Sequence, residues 1–206
     1  MRAVFRIPGT VSILIATTLN LCWVGLGPGF STLFLTHVRG FSLQDAGSIL
    51  AISGVIGFAG AIFIPVLADL RGRKPTVIAC SSIGGVAFLL FSIGNFGGSG
   101  LIGVLTLANF CIGGLSPLVG ATIPSELVPL QRGTAIGFNV FVAAMIGTFL
   151  MPFIGGVASD NIGLVVPLLM AGVAVLLIGP VVVGVPETAP RILARRGDAT
   201  SRALMV

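Results

Sequence analysis

"PVLADLRGRKP", Pro65–Pro75, is the most densely charged stretch of a chain that otherwise avoids charge. Asp69, Arg71, Arg73 and Lys74 stand together around Gly72, at the end of a long apolar run and before the start of the next. Charge placed this way marks where a chain leaves an apolar medium, turns and enters it again. Gly72 permits a tight reversal that a residue with a Cβ resists. Arg73 and Lys74 can hold the turn at an anionic membrane surface. Asp69 has no such use and needs another one: pairing with a cation, or facing the N-terminus of a neighbouring helix.

Composition agrees with this reading. Of 206 residues, 55% are hydrophobic and 8% are charged, where soluble domains carry about 25% charged residues. No water-facing surface can be built from such a chain, so it belongs in a membrane. The net charge of +5 is scattered among short loops and sets topology; nucleic acid is not an expected partner. Cys22, Cys80 and Cys111 are far apart in sequence, inside apolar runs, and read as small buried hydrophobes.

A helix needs about 20 apolar residues to cross a bilayer core. Six segments qualify, at about 10–38, 43–70, 76–93, 101–123, 133–157 and 164–185. Each must be helical, because lipid offers no partner to free backbone groups. The runs are too long and too uniform for barrel strands. The fold class is an all-α polytopic membrane protein. A six-helix membrane domain is expected over 1–190, followed by a cytoplasmic basic tail over 191–206. The first run follows Arg2 and Arg6 like a signal peptide, but reads as a retained span with a kink at Pro28 in "GLGPG". With both termini in the cytoplasm, ten of the eleven Lys and Arg residues fall on the inner side and only Arg39 on the outer.

Several motifs carry no function here. Gly98-x-Gly100-x-x-Gly103 fits a dinucleotide fingerprint as a string but lies between two spans with no preceding strand. His37 reads as an interfacial side chain. No cluster of His, Cys or carboxylates suits a metal or a membrane enzyme, so neither catalytic residues nor a cofactor is expected.

The Pro65–Pro75 loop resembles the signature between the second and third helices of each half of the major facilitator superfamily of secondary transporters. Leu67, Ala68, Asp69, Gly72, Arg73 and Lys74 stand in register with it. Pro65 and Leu70 depart from it, where relatives carry Gly and Arg. "IPSELVPLQRGTAIGF", Ile123–Phe138, is similar to the family's acid, proline and arginine between helices four and five: Glu126, Pro129 and Arg132. The spacing from acid to arginine is one residue shorter than in many relatives. "GTFLMPFIGGVASDNIGL" resembles a fifth or eleventh helix, and "VPETAPR" the segment after a twelfth.

The resemblance implies half of a major-facilitator-type bundle, acting on a small-molecule substrate in the lipid bilayer, in a bacterial plasma (inner) membrane. The fourth span lacks the arginine usual in an N-terminal half, which favours the C-terminal half. Asp69, Gly72, Arg73 and Lys74 would form a cytoplasmic gating motif. The partner would be a second six-helix half, or a second copy in a homodimer. A non-transporting membrane fragment or assembly subunit is the alternative.

Ala51, Gly54, Gly57 and Gly60 in span two, and Gly133, Gly137, Ala143 and Gly147 in span five, form small-residue faces. The family resemblance sets these faces against the other half; packing within this half is the other reading. First and fourth helices line the cavity in the family, so Asn20, Trp23, Asn109 and Asn139 are candidate cavity residues. Each asparagine has two open roles, a substrate contact or an interhelical hydrogen bond. No ionisable residue lies deep in a span, so this half offers no proton carrier.

Overall fold

The computed structural model describes residues 9–127 and 132–189. Pro129, the side chain of Arg132 and the tail over 191–206 lie outside that description. The described residues hold six helices long and apolar enough to span a membrane: α1 (Thr10–Val38), α2 (Leu43–Arg71), α3 (Arg73–Ile93), α4 (Gly98–Glu126), α5 (Gly133–Asn161) and α6 (Val165–Val182). None of the described residues forms a strand. Most of these helices are apolar on every face, as expected where lipid surrounds the bundle. The six alternate in direction, so Gly72, the start of α1 and the end of α6 meet at one end. We call it the basic end.

Local chemistry sets the turns. At the far end, Ser42 caps α2 by accepting from the Asp45 amide at 3.1 Å, while its hydroxyl donates to the Asp45 carboxylate at 2.6 Å. At the basic end, Gly72 alone separates α2 from α3, with φ 107° and ψ 143°. This conformation favours glycine, and a Cβ there would lie 2.9 Å from Glu187 Oε2.

The packing has an internal two-fold pattern. α2 packs on α4 and α5 on α1; α3 packs on α4 and α6 on α1; α3 and α6 pack on each other. Exchanging α1 with α4, α2 with α5 and α3 with α6 leaves this pattern unchanged. Because α1 and α4 start at opposite ends of the bundle, the two three-helix units are inverted repeats. Both lead helices, α1 and α4, carry a proline and a π-helical turn in their C-terminal parts, at Phe34–Val38 and Leu118–Thr122.

The close contacts follow the same pattern. Backbone meets backbone where Gly57 of α2 faces Gly113 of α4, and where Gly147 of α5 faces Gly25 of α1. Packing of this kind is what holds helices together in lipid, where the hydrophobic drive between helices is absent. It corrects half of the small-residue reading. Gly57, Gly60, Ala143 and Gly147 are buried inside this bundle, whereas Gly54, Gly133 and Gly137 have nothing close to them. Of the most apolar stretch of α5 only 17% is buried, and of α2 28%, against 56% for α3. The outward faces of α2 and α5 therefore present large side chains, including Phe58, Phe63, Phe149 and Phe153.

The structure also brings together two cysteines that are distant in sequence. Cys80 on α3 and Cys111 on α4 are neighbours, and both are free and buried.

Candidate functional site

Helix α3 opens with Arg73, Lys74 and Pro75 and has no acidic residue in its first turn. Its N-terminal amides point out of the helix with no local acceptor, and the helix dipole adds positive charge to that of the side chains. The missing anion comes from a segment more than a hundred residues away. Glu187, five residues beyond the end of α6, accepts from the amides of Arg73 at 2.9 Å and Lys74 at 3.2 Å. It also accepts from the amides of Thr188 at 3.1 Å and Ala189 at 3.0 Å. Burial pushes the Glu187 carboxyl up, but the amides of Ala189, Arg73, Lys74 and Thr188 outweigh it and hold the group below the usual carboxylate range.

Lys74 completes the exchange. Its ammonium donates to the Val183 carbonyl just past the end of α6. The antiparallel ends of α3 and α6 thus swap an anion for a cation, each placed where the helix dipole favours it.

Arg73 ties in two more helices. Its guanidinium, 8% exposed, donates to Asp69 Oδ1 at the end of α2 from Nε at 3.2 Å and Nη2 at 2.9 Å. Its Nη1 pairs with Glu126 at the end of α4. One buried cation between two carboxylates therefore clasps α2, α3 and α4, while Glu187 and Lys74 add the segment after α6. Asp69 is 54% exposed and is the member of the clasp most open to a neighbour.

The four residues of the loop motif, Asp69, Gly72, Arg73 and Lys74, are thus brought together, and Glu126 joins them. Glu187 was not singled out from the sequence. The signal for it was present: a helix start made of two cations without an acid, and an isolated glutamate in "VPETAPR".

The candidate cavity residues separate into two groups. Trp23 and Asn109 line a pocket of about 230 Å³ between α1, α2, α3 and α4. Asn20 and Asn139 do not; each makes the interhelical hydrogen bond that was its other open role. They are 1% and 5% exposed and belong to a polar seam between α1, α4 and α5. Asn20 Oδ1 accepts from Ser116 at 2.8 Å, and Asn139 Nδ2 donates to Thr17 Oγ1 at 2.9 Å. The Thr17 hydroxyl lies 2.8 Å from the carbonyls of Ile13 and Val119, and donates to one of them at a time. Val119 sits in the π-helical turn of α4, where carbonyls lose their regular helical partners and side chains from neighbours can serve instead.

The pocket itself is uncharged. Ser31 and Thr32 of α1, Ser53 of α2 and Phe88 of α3 line it with Trp23 and Asn109. The Trp23 indole meets the Phe88 ring edge-on, with centroids 5.9 Å apart. Among the described residues no group of three or more His, Cys, Asp or Glu side chains is placed to hold a metal ion.

No curated protein matches the chain significantly. The sequence model of the Major Facilitator Superfamily matches residues 5–204, nearly the whole length. Six apolar helices, the inverted repeat and the clasp on Arg73 accord with that match, and the chain is a multi-pass integral membrane protein of the Major Facilitator Superfamily.

Proposed function

We propose that this chain is one six-helix half of a secondary transporter that carries a small solute by alternating access. The observation that carries the reading is the clasp on Arg73 in a chain whose family match covers residues 5–204. The clasp unites the basic ends of α2, α3 and α4 with the segment after α6, so this half moves as one body. A rocking mechanism needs rigid bodies of that kind. Asp69, half-exposed at the rim, is the group a second half would engage in one conformation and release in the other.

The second half is either a separate six-helix bundle or another copy of this chain. The exposed faces of α2 and α5 support that reading, because the family's equivalents face the other bundle. The count of Lys and Arg supports a cytoplasmic basic end, with both termini there, in a bacterial plasma membrane. The spans match helices seven to twelve best, since α4 carries no arginine. The chemistry is movement of a solute without bond making, so the protein is read as a transporter and not as an enzyme.

Flux of labelled small solutes into liposomes containing the purified chain tests the reading, with oligomeric state measured in the same preparation. The expected result is no flux from a monomer and flux from a dimer or from a pair with a second half. Robust flux from a proven monomer would falsify the half-transporter reading. Absence of flux from every assembly would favour the alternative, a membrane subunit that keeps the fold without transporting.

A further inference from the structure

The pocket between α1 and α4 has a definite hydrogen-bonding character. Three of its polar side chains direct a donor to their own helices. Thr32 Oγ1 donates to the Pro28 carbonyl at 3.2 Å, Ser53 Oγ to Leu50 at 3.0 Å, and Asn109 Nδ2 to Leu105 at 3.0 Å. They offer the pocket acceptor oxygen, two hydroxyl lone-pair sets and the Asn109 carbonyl, while the second Asn109 amide N–H and the buried, unpartnered Trp23 indole N–H remain as donors. Ser31 differs from them. It is 2% exposed and lines the pocket, yet its hydroxyl has no hydrogen-bond partner. A buried polar group without a partner is costly, and a hydroxyl facing an open pocket is completed by whatever fills it.

No ionisable side chain lines the pocket. An anion would meet acceptor oxygens with no cation to neutralise it. An ammonium would find oxygens and the Trp23 ring but no carboxylate, inside a membrane where uncompensated charge is expensive. A neutral group bearing hydroxyls, which both donate and accept, matches the acceptor oxygens, the remaining N–H donors of Trp23 and Asn109, the free Ser31 hydroxyl and the absent charge. At about 230 Å³ the space is smaller than a typical complete ligand pocket, about 300–1,000 Å³.

We infer that this pocket receives the uncharged, hydroxyl-bearing part of the solute. The inference rests on the transporter reading above only for the word solute; binding itself can be measured without transport. Trp23 is the sole tryptophan of a chain without tyrosine, so its emission reports this pocket alone.

The test titrates the full chain in nanodiscs with three probes that share one six-carbon skeleton: sorbitol, the amine glucamine and the acid gluconate. Saturable change of Trp23 emission with sorbitol is expected, with affinity at least tenfold weaker for both charged probes. Ser31→Ala, which removes no existing bond, should weaken sorbitol about tenfold. Ser82→Ala, exposed on the outer side of α3, should leave it unchanged. Equal or tighter binding of glucamine or gluconate overturns the inference, as does an unaltered Ser31→Ala affinity or no response to any probe. Sorbitol binding without flux in liposomes leaves the pocket assignment standing and removes the transport reading, so the two fail separately.

Discussion

The two ends of the bundle are held by different chemistry. At the basic end, Arg73 sits between Asp69 and Glu126, Glu187 caps α3, and Lys74 caps the end of α6. At the far end one cation joins the two loops. Arg39, just after α1, donates to the Gly94 carbonyl and to Asn95 Oδ1, the latter at 3.1 Å, just beyond α3. Its guanidinium carbon stands 5.1 Å from the Phe34 centroid, and Phe34 packs on Phe91 at 5.4 Å. The basic end is therefore braced by opposite charges, and its Glu187 cap depends on pH. The far end is braced by carbonyl dipoles and an aromatic face, which do not titrate. If this half rocks against a partner as proposed, the charge-braced end is the one whose grip a neighbouring charge alters.

The comparison breaks most severely at Arg73. Arg73→Ala leaves two carboxylates facing each other and an unfilled space, at a cost of about 3 kcal/mol given the partial exposure of both acids. Thermal unfolding in nanodiscs should fall by roughly 6–12 °C. Arg73→Lys should recover less than half of that, because an ammonium cannot fork between two carboxylates as a guanidinium does. A melting point within about 1 °C of the parent in Arg73→Ala would show that the clasp holds nothing.

Glu187→Gln comes next. The amide has one acceptor oxygen and no charge to place against four amides, so about 2 kcal/mol should be lost at neutral pH. The pH dependence sharpens the point. The carboxyl is held below its ordinary value of about 4.3 when folded. Its stabilisation is therefore complete above that pH and is lost as pH falls through the depressed folded value. Melting curves between pH 7 and pH 3 should show a parent that loses this increment and a Glu187→Gln chain that does not. Parallel acid limbs would remove Glu187 from the account.

Arg39→Ala should cost less, about 1 kcal/mol, the combined loss of a cation–π contact and hydrogen bonds at a partly exposed site. Its cost should be the same at pH 7 and pH 4, in contrast to Glu187→Gln. Asp69→Asn should matter least to stability, under about 0.5 kcal/mol, since the side chain is half in solvent. Flux in an assembly that transports is the measurement there, and the exchange should slow it while expression holds. A normal rate in Asp69→Asn would reduce the loop motif to a topology signal.

Much of this was readable from residues, and the reason is locality. Whether a run of residues crosses lipid depends on its own length and polarity, so the six helices could be placed along the chain. The ends were less clear: α5 runs to Asn161 where the apolar run was read to Val157, because Ser159 and Asp160 are polar yet still helical. The reversal at Gly72 was legible because its cause is one residue without a Cβ. Asn20 and Asn139 were legible only as polar groups in need of partners. That both would find them in the α1–α4–α5 seam depended on which faces meet, and helices that are apolar all round do not announce a face.

By itself the sequence determined that this chain lives in a membrane, that it crosses in six helices, and that a charged turn at Asp69–Lys74 resembles the signature of the family whose sequence model matches residues 5–204. Those properties follow from composition, run length and the order of a few residues. Only the tertiary structure decided that α1 and α4 are equivalent, that Glu187 caps α3, that Arg73 reaches Glu126 as well as Asp69, that Cys80 touches Cys111, and that Trp23 shares an uncharged pocket with Asn109. Each of these joins residues dozens of positions apart through contacts of backbone glycines and single side chains. In lipid such close packing, and not the hydrophobic pattern, selects which helices become neighbours.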